Sequence, residues 1–517
     1  CHVRGAFKSK KNLAPAVSTR HKLDGPPKEF IYDRLAHPPA TFRQEKLKSD
    51  VRLPAARRFI SEKGLNERFE GTETQLGIVV QGGLYNSLQR ALRILGLADA
   101  FGSSRLPILA LNVVYPLVPE EIVEFARDKA AVLVLEEGQP EFIEQEIATF
   151  LHRADVPTKL HGKDCMHMAG EYNVESLVRG LARFIGLHAP HLDTSPGAAW
   201  LSSIQESRDK ASSFLGALPA RPPTFCVGCP ERPVFSAMKL VAKDIGRPHV
   251  SMDVGCHAFA SFEPFSQGNT LLGYGMSLAA AAGVAPMQAK RPVAVMGDGG
   301  FWHNGLLSGV ASNLLNRGDG VLVVMKNGYA SATGTQELLS SPPEDARMVA
   351  VGQSAAGADR TIENTLKGLG VKWLRTVNNY DVATMAKTYR EAMTTPEKGL
   401  KVIVAEGECQ LERQRRLKPE TAKRLSRGER TVRVKYGVDE DTCTGDHSCI
   451  RLSGCPTLTV KDNPDPLRRD PVATVIDGCV GCGLCGENAH AAVLCPSFYR
   501  AEVVQNPSLW DRLLQRL

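Results

Sequence analysis

At 517 residues the chain is too long for a single hydrophobic core, and 43% hydrophobic with 23% charged side chains excludes a disordered or fibrous class. The net charge of +7 gathers at one end, where residues 1–60 carry fourteen Lys or Arg against five Asp or Glu; six prolines there make this a solvated connector rather than a nucleic-acid-binding arm. Thirteen cysteines, seven of them between 443 and 495, exclude a secreted disulfide framework and point to metal or cluster chemistry in a reducing, cytoplasmic setting.

The first residue is Cys1 and no charged-then-apolar leader follows it, so residues 1–70 are expected to be a basic connector and the tail of a domain that begins further upstream. From Leu76 the pattern turns regular. "LGIVV" reads as a buried strand, "LYNSLQRALRIL" as an amphipathic helix, and "PILALNVV" and "AAVLVLEE" as further strands with the helix "PEEIVEFARD" between them. This alternation predicts a parallel α/β domain over 71–195. "VVQGGLYNSL" lacks the Walker lysine and the full dinucleotide glycine pattern, so it reads as a tight strand-to-helix turn. Pro and Ser clusters near 189–196 and "PARPP" at 219–223 mark a transition. A second α/β unit is expected over 196–410, with strands in "RPVAVMGD", "GVLVVMKN" and "LKVIVAEGE". Residues 411–436 read as a basic linker, 437–503 as a cysteine-rich domain and 504–517 as a tail. The longest small-apolar run, from Leu271, is too short and too glycine-broken to span a membrane.

The sharpest pattern in the middle is "MGDGGFWHNGLLSGVASNLLNRGDGVLVVMKNGYAS". One apolar strand ends at Gly297-Asp298-Gly299 and a second ends at Asn327-Gly328-Tyr329. Strand ends on one edge of a parallel sheet are where ligands bind. Mg²⁺ takes about six oxygens and commonly bridges protein to substrate phosphates. Asp298, Asn327 and the Tyr329 carbonyl offer three, with phosphate oxygens and water completing the shell. The pair of strand ends at this spacing resembles the thiamine diphosphate signature. Upstream, Cys229 in "PTFCVGCPERPVF", Gly255 and Cys256 in "DVGCHAF", and Gly275 in "GYGMSLAAAAG" supply turns and a helix start that would line the cofactor. Cys226-x-x-Cys229 has no visible second pair, so it reads as structural or cofactor-lining. Cys165 and Cys409 read as buried core thiols. His167, His257 and His303 read as ordinary polar residues, the last two beside cofactor motifs.

In the tail, "CVGCGLC" places Cys479, Cys482 and Cys485 at x₂ spacing, and Cys-Pro occurs at both 455–456 and 495–496. In two-cluster ferredoxins three cysteines of one run hold a cluster that the Cys-Pro of the other run completes. Cys479, Cys482, Cys485 and Cys455 then form one four-thiolate set, and Cys443, Asp446, Cys449 and Cys495 form the other. Asp446 replaces the second thiolate with the spacing kept. A carboxylate grips iron less well than sulfur, so this cluster is expected to be labile or to drop to a three-iron form; the alternative is an empty site.

The order of these parts, with "CVGCPERPVF", "DVGCHAF", "GDGGF…KNGYASATG" and "CTGDHSCIRLSGCP", resembles the alpha subunit of indolepyruvate ferredoxin oxidoreductase from about residue 70 onward, with Asp446 as a departure. The resemblance implies a transketolase C-terminal-like domain, a thiamine diphosphate domain and a small ferredoxin-like domain with two [4Fe–4S] clusters. It implies oxidation of an arylpyruvate with CoA to an aryl-acetyl-CoA and CO₂, electrons leaving to ferredoxin. The implied partners are CoA, a 2-oxo acid, ferredoxin and a smaller beta subunit in an oligomer. The glutamate that activates the cofactor is expected on a domain upstream of this stretch, since Glu136 and Glu137 end a strand in another domain. The chain is thus expected to be inactive without that domain or a partner. Alternatives are the same chemistry on pyruvate or a branched-chain acid, or a non-catalytic electron-transfer subunit.

Overall fold

A computed structural model of the chain describes residues 29, 31–34, 37–217, 223–341 and 361–514. Most of the basic stretch before residue 37, the "PARPP" stretch apart from Pro223, and residues 515–517 lie outside the described residues. The chain divides into two compact units, Cys1–Pro219 and Ala220–Leu517. The fold class is mixed α/β with parallel sheets.

In the first unit, β1 (Glu67–Phe69), β2 (Leu76–Gln81), β3 (Ile108–Leu111), β4 (Ala131–Leu135) and β5 (Lys159–His161) form a sheet of order β1-β3-β2-β4-β5. All neighbours are parallel except β1 against β3. The inner strands are unbroken apolar runs because helices cover both faces. Ile78, Val80, Leu133 and Leu135 feed one core, while Val79, Val132 and Val134 feed the opposite one, the period of two that a strand dictates. The strand-end Glu136 is buried and caps a helix: its carboxylate accepts from the N–H groups of Ile143 (3.0 Å) and Glu144 (3.2 Å) at the start of Phe142–Arg153. Glu137 accepts from Tyr172 N–H at 2.7 Å. Both strand-end glutamates have structural partners.

In the second unit, β6 (Val250–Met252), β7 (Thr270–Leu271), β8 (Val293–Gly297), β9 (Val321–Lys326), β10 (Trp373–Asn378) and β11 (Lys401–Glu406) form an all-parallel sheet of order β10-β11-β9-β8-β6-β7. Between β6 and β8 the chain turns to opposite sides, which opens a crevice at their carboxyl ends, the place where open α/β sheets bind ligands. The segment expected as a basic linker folds as the helix Gln410–Ser426 and a strand, β12 (Thr431–Val438). That strand pairs antiparallel with β15 (Phe498–Gln505), and β13 (Leu458–Lys461) pairs with β14 (Val472–Val475). Between these ribbons lie two short helices, Ser448–Ser453 and Leu484–Val493. The core of this small lobe is largely sulfur: Cys443, Cys449 and Cys485 are buried in it beside Val438, Leu458, Val472, Ala473 and Ala489. The lobe is not separate from the larger sheet. Leu484 is buried in the core of that sheet, with Cys482 packed against it. Among the described residues no helix is long and apolar enough to cross a membrane.

Candidate active site and thiol sets

The crevice at the ends of β6, β8 and β9 is a cavity of about 350 Å³ lined by Glu231, Cys256, His257, Asp298, Asn327 and Tyr329 among others. Asp298 follows β8 and is 1% exposed. Its Oδ1 accepts from Gly299 N–H (3.0 Å), and its Oδ2 accepts from the N–H groups of Asn327 (3.0 Å) and Gly328 (2.7 Å) after β9. Burial pushes its carboxyl up to about 7 against those three donors. Asn327 Oδ1 accepts from Tyr329 N–H (3.1 Å) and Ser331 Oγ (2.9 Å), while its Nδ2 donates to Glu231 Oε1 (3.1 Å). Of the nine residues expected to hold the cofactor, Gly255, Cys256, Gly297, Asp298, Gly299, Asn327 and Tyr329 line the cavity, Gly275 abuts it at Gly300, and Cys229 is buried two residues before Glu231.

Gly275 stands at φ +81°, and a Cβ there would lie 2.7 Å from Gly305 N, so only glycine fits this turn. Its N–H donates to Asp253 Oδ1 at 2.5 Å. Asp253, after β6, is fully buried, and burial pushes its carboxyl up to about 6. Asp253 and Glu231 sit inside "DVGCHAF" and "CVGCPERPVF", but nothing in the local pattern distinguishes a buried acid from a surface one, so neither stands out as a site residue in the sequence. Glu231 is pushed up to about 8 by burial, opposed by its Asn327 hydrogen bond and reinforced by Asp298. His257 Nδ1 stands 3.8 Å from Glu231 Oε2, and burial holds this histidine down to about 4. Glu231 Oε2, Asp253 Oδ2 and both His257 ring nitrogens are buried without a hydrogen-bond partner. Buried polar atoms left in this state mark a place built for a ligand's own polar groups. An oxygen-rich donor set on three strand ends, beside orphaned polar groups, fits a hard divalent cation and a diphosphate.

Beside this cavity the fold gathers four thiols that the sequence keeps apart. Cys226 and Cys229 close a tight turn, Cys229 N–H donating to the Cys226 carbonyl at 3.1 Å. Cys256 lies after β6, and Cys409 lies after β11, tied to β9 by its N–H on the Asn327 carbonyl (3.1 Å). Burial pushes Cys256 up to about 12, and the charges of Glu231, Cys409 and Cys226 add to it. Cys226 is exposed as a residue, yet its partly covered sulfur is pushed up by desolvation and by Cys409. Cys256 and Cys409, which follow two separate strands, lie within electrostatic reach of the Cys226-x-x-Cys229 turn.

The tail cysteines fall into two further sets. Cys485, pushed up to about 12 by burial, also feels Cys482, Cys455 and Cys479. Cys449, pushed up to about 11 by burial, feels Cys443, Cys495 and Asp446. Cys455 thus stands with the second run and Cys495 with the first. Both Cys-Pro corners follow a left-handed residue, Gly454 (φ +53°) or Leu494 (φ +53°), and each sulfur has a hydroxyl two residues on: Thr457 Oγ1 at 3.2 Å from Cys455 and Ser497 Oγ at 3.5 Å from Cys495. Asp446 is turned partly away, its side chain 43% exposed, with Oδ1 accepting from Ser448 N–H (3.2 Å) and Oδ2 from Ser448 Oγ (2.6 Å). That hydroxyl, first among its partners, holds its carboxyl below the usual range. Thiols raised this far ionise only when a metal takes them, which suits clusters. The tightest group of metal-capable side chains among the described residues is elsewhere, at His161, Asp164 and Cys165, within 4.8 Å of one another. Its polar atoms already pair: His161 meets Asp164 Oδ2 at 2.6 Å and His188 Nε2 at 2.7 Å.

Comparison with known proteins bears on the same region. The thiamine pyrophosphate enzyme, C-terminal TPP binding domain matches residues 253–405, the stretch that holds Asp253, Asp298 and Asn327. Indolepyruvate oxidoreductase subunit IorA of Archaeoglobus fulgidus is 28% identical over 447 residues, 86% of this chain and 62% of that protein. The subunit of the same name from Pyrococcus abyssi is 26% identical over 435 residues, 81% of this chain and 60% of that protein. The chain is similar to indolepyruvate oxidoreductase subunits. It spans 60% to 62% of the length of these two curated relatives. A solved 2-oxoglutarate:ferredoxin oxidoreductase from Magnetococcus marinus shares 18% identity over 37% of this chain and 66% of that one, with a TM-score of 0.32, too low to bear on function.

Proposed function

We propose that this chain is the cofactor- and cluster-bearing part of a 2-oxo-acid oxidoreductase that oxidises an arylpyruvate with CoA, releasing CO₂ and an aryl-acetyl-CoA and passing two electrons, one at a time, to ferredoxin. The observation that carries the reading is the juxtaposition in one unit of the Asp298/Asn327 crevice with a four-thiol set, Cys226, Cys229, Cys256 and Cys409, beside it. A thiamine decarboxylase that leaves its electrons on the product has no use for thiols there. The similarity to subunits named for indolepyruvate supports the substrate class, and a smaller beta subunit and further copies complete the assembly.

Asp298 Oδ, Asn327 Oδ and the Tyr329 carbonyl would hold Mg²⁺, and Gly255, which lines the cavity, would leave room for the diphosphate. Thiamine diphosphate, when bound, supplies the nucleophilic carbon and the electron sink for decarboxylation. Glu231, carrying its proton at neutral pH, can donate through Oε2, and neutral His257 can accept a proton beside it. Iron–sulfur clusters, when bound, supply one-electron carriers: one at Cys226, Cys229, Cys256 and Cys409, one at Cys455, Cys479, Cys482 and Cys485, and an outer one at Cys443, Asp446, Cys449 and Cys495. Burial of Leu484 and packing of Cys482 against the larger sheet's core support the middle set as the inner of the two lobe clusters.

The test is a panel of 2-oxo acids with CoA and a viologen acceptor, run anaerobically on the chain assembled with its partner subunit. Reduction that needs both CoA and thiamine diphosphate, and is fastest with arylpyruvates, is expected. Preference for pyruvate or a branched-chain acid would replace the substrate, and no reduction with any 2-oxo acid would overturn the reading.

A further inference from the structure

The helix Arg232–Ile245 begins directly after the Cys226–Cys229 turn and carries a cation that the chemistry above does not use. Arg232 is 0% exposed. Its Nη1 donates to the Ser453 carbonyl at 2.9 Å, but Nε and Nη2 are buried without a hydrogen-bond partner. The adjacent Glu231 turns the other way, to Asn327 and His257. A guanidinium without an anion in a dry interior is strongly destabilising, and the Cys455 sulfur beside Arg232 is a group that can carry that negative charge.

What surrounds Arg232 is sulfur from both sides of an internal junction. One turn of the helix later, Ser236 Oγ donates to the Leu452 carbonyl (2.7 Å), and Lys239 Nζ donates to the carbonyls of Arg451 (3.3 Å) and Pro264. Residues 232, 236 and 239 share one helix face, so this stripe satisfies the last carbonyls of Ser448–Ser453, just ahead of Cys455. The two turns that meet here have the same sequence, Cys-Val-Gly-Cys, at 226–229 and 479–482, with Gly228 and Gly481 both at φ +73°. They pack in contact: a Cβ on Gly228 would lie 2.5 Å from Val480 Cγ2. Tyr380 closes the same junction, its hydroxyl donating to the Gly228 carbonyl at 2.5 Å. Arg232 stands between the turns, and its charge reaches Cys226 and Cys229 on one side and Cys455 and Cys482 on the other.

We propose that Arg232 is the shared counter-cation of two iron–sulfur clusters, one at Cys226, Cys229, Cys256 and Cys409 and one at Cys455, Cys479, Cys482 and Cys485, and that its charge raises the reduction potential of both. This rests on the cluster assignments in the proposed function. Each cluster gains one negative charge on reduction, so a fixed cation in a low-dielectric site favours the reduced form of each. Arg232 is thus a positioning and tuning residue: it takes no electron, and Nη1 keeps the Cys455 corner in place.

The measurement is a potentiometric titration followed by electron paramagnetic resonance on the anaerobic full complex, with iron counted in each sample. Arg232→Gln and Arg232→Met should keep the iron content and shift both clusters' one-electron equilibria about tenfold toward the oxidised form, ~59 mV lower. Ser236→Ala loses a hydrogen bond to the same helix end without loss of charge, and should leave both potentials unchanged. If Arg232→Met does not fold, the Gln variant, which keeps an amide donor, carries the comparison. Full iron content in Arg232→Gln with both potentials at the wild-type values, or a shift in only one of them, would overturn the shared role while leaving the cluster assignments standing. Wild-type protein without signals from these two clusters would overturn the assignments and this proposal together.

Discussion

Asp298 illustrates how a single carboxyl is prepared for a cation. Three backbone N–H groups hold it in place, yet burial keeps its carboxyl up near 7. Two consequences run in opposite directions with pH. Without cofactor, the folded state binds a proton there that the unfolded chain has lost above about 4, so this residue's contribution to stability falls as pH rises toward 7. Cation binding needs the ionised form, so affinity for Mg²⁺ with thiamine diphosphate should fall about tenfold per pH unit below 7. Calorimetry at pH 6, 7 and 8 checks this, and an affinity indifferent to pH would contradict it. Asp298→Asn keeps the shape and removes the charge, and should weaken binding roughly 10- to 100-fold, the worth of about 1.5–3 kcal/mol for a charged contact. Unchanged affinity in Asp298→Asn would remove Asp298 from the cation site. Asp298→Ala should in addition melt lower, because three buried donors lose their acceptor.

At the scale of elements, the two short helices of the lobe and their Cys-Pro corners form a duplicated unit in which Asp446 stands where the other run has the thiol Cys482. Its carboxylate is engaged by Ser448 and partly open to solvent, which suits a ligand that lets go of its iron. Mild oxidation should turn only the Cys443/Asp446/Cys449/Cys495 cluster into a three-iron form, and Asp446→Cys should abolish that conversion; spectra indifferent to Asp446→Cys would mean Asp446 is not a ligand. Much of this was legible in the sequence. Runs such as "VAVMG" and "VLVVMK" declare buried parallel strands because both faces must be apolar, and the tail spacing carries the proposal of two ligand sets. Other parts were not. The helix Gln410–Ser426 read as linker because it is dense in charge and contains Pro419, so it offers almost no apolar stripe. β6 and β7, three and two residues long, are too short to show a period. The set Cys226, Cys229, Cys256 and Cys409 is invisible to spacing, since Cys256 and Cys409 follow β6 and β11, two strands far apart in the sequence and separated by β8 and β9 in the sheet.

On the proposed function, these elements of the second unit would make a route. The crevice holds the site where electrons would be released, the first thiol set adjoins it, the matched Cys-Val-Gly-Cys turns touch across the junction, and the remaining set lies at the heart of the small lobe. The lobe's core is so rich in cysteine that its stability should depend on bound iron. Chelation under anaerobic conditions should therefore lower its melting point before that of the larger sheet, a difference visible as two separate transitions, whereas a single transition unmoved by iron removal would argue that the sulfurs are only packing. On the proposed function, electrons released at the Asp298/Asn327 crevice enter these clusters. The most direct test is rapid freeze-quench paramagnetic resonance on the anaerobic complex, loaded with Mg²⁺ and thiamine diphosphate and mixed with an arylpyruvate and CoA. Reduced-cluster signals are expected in the same turnover that releases CO₂, absent in Asp298→Asn at cofactor levels that saturate the wild type. Release of CO₂ with the clusters left oxidised would contradict the proposed function.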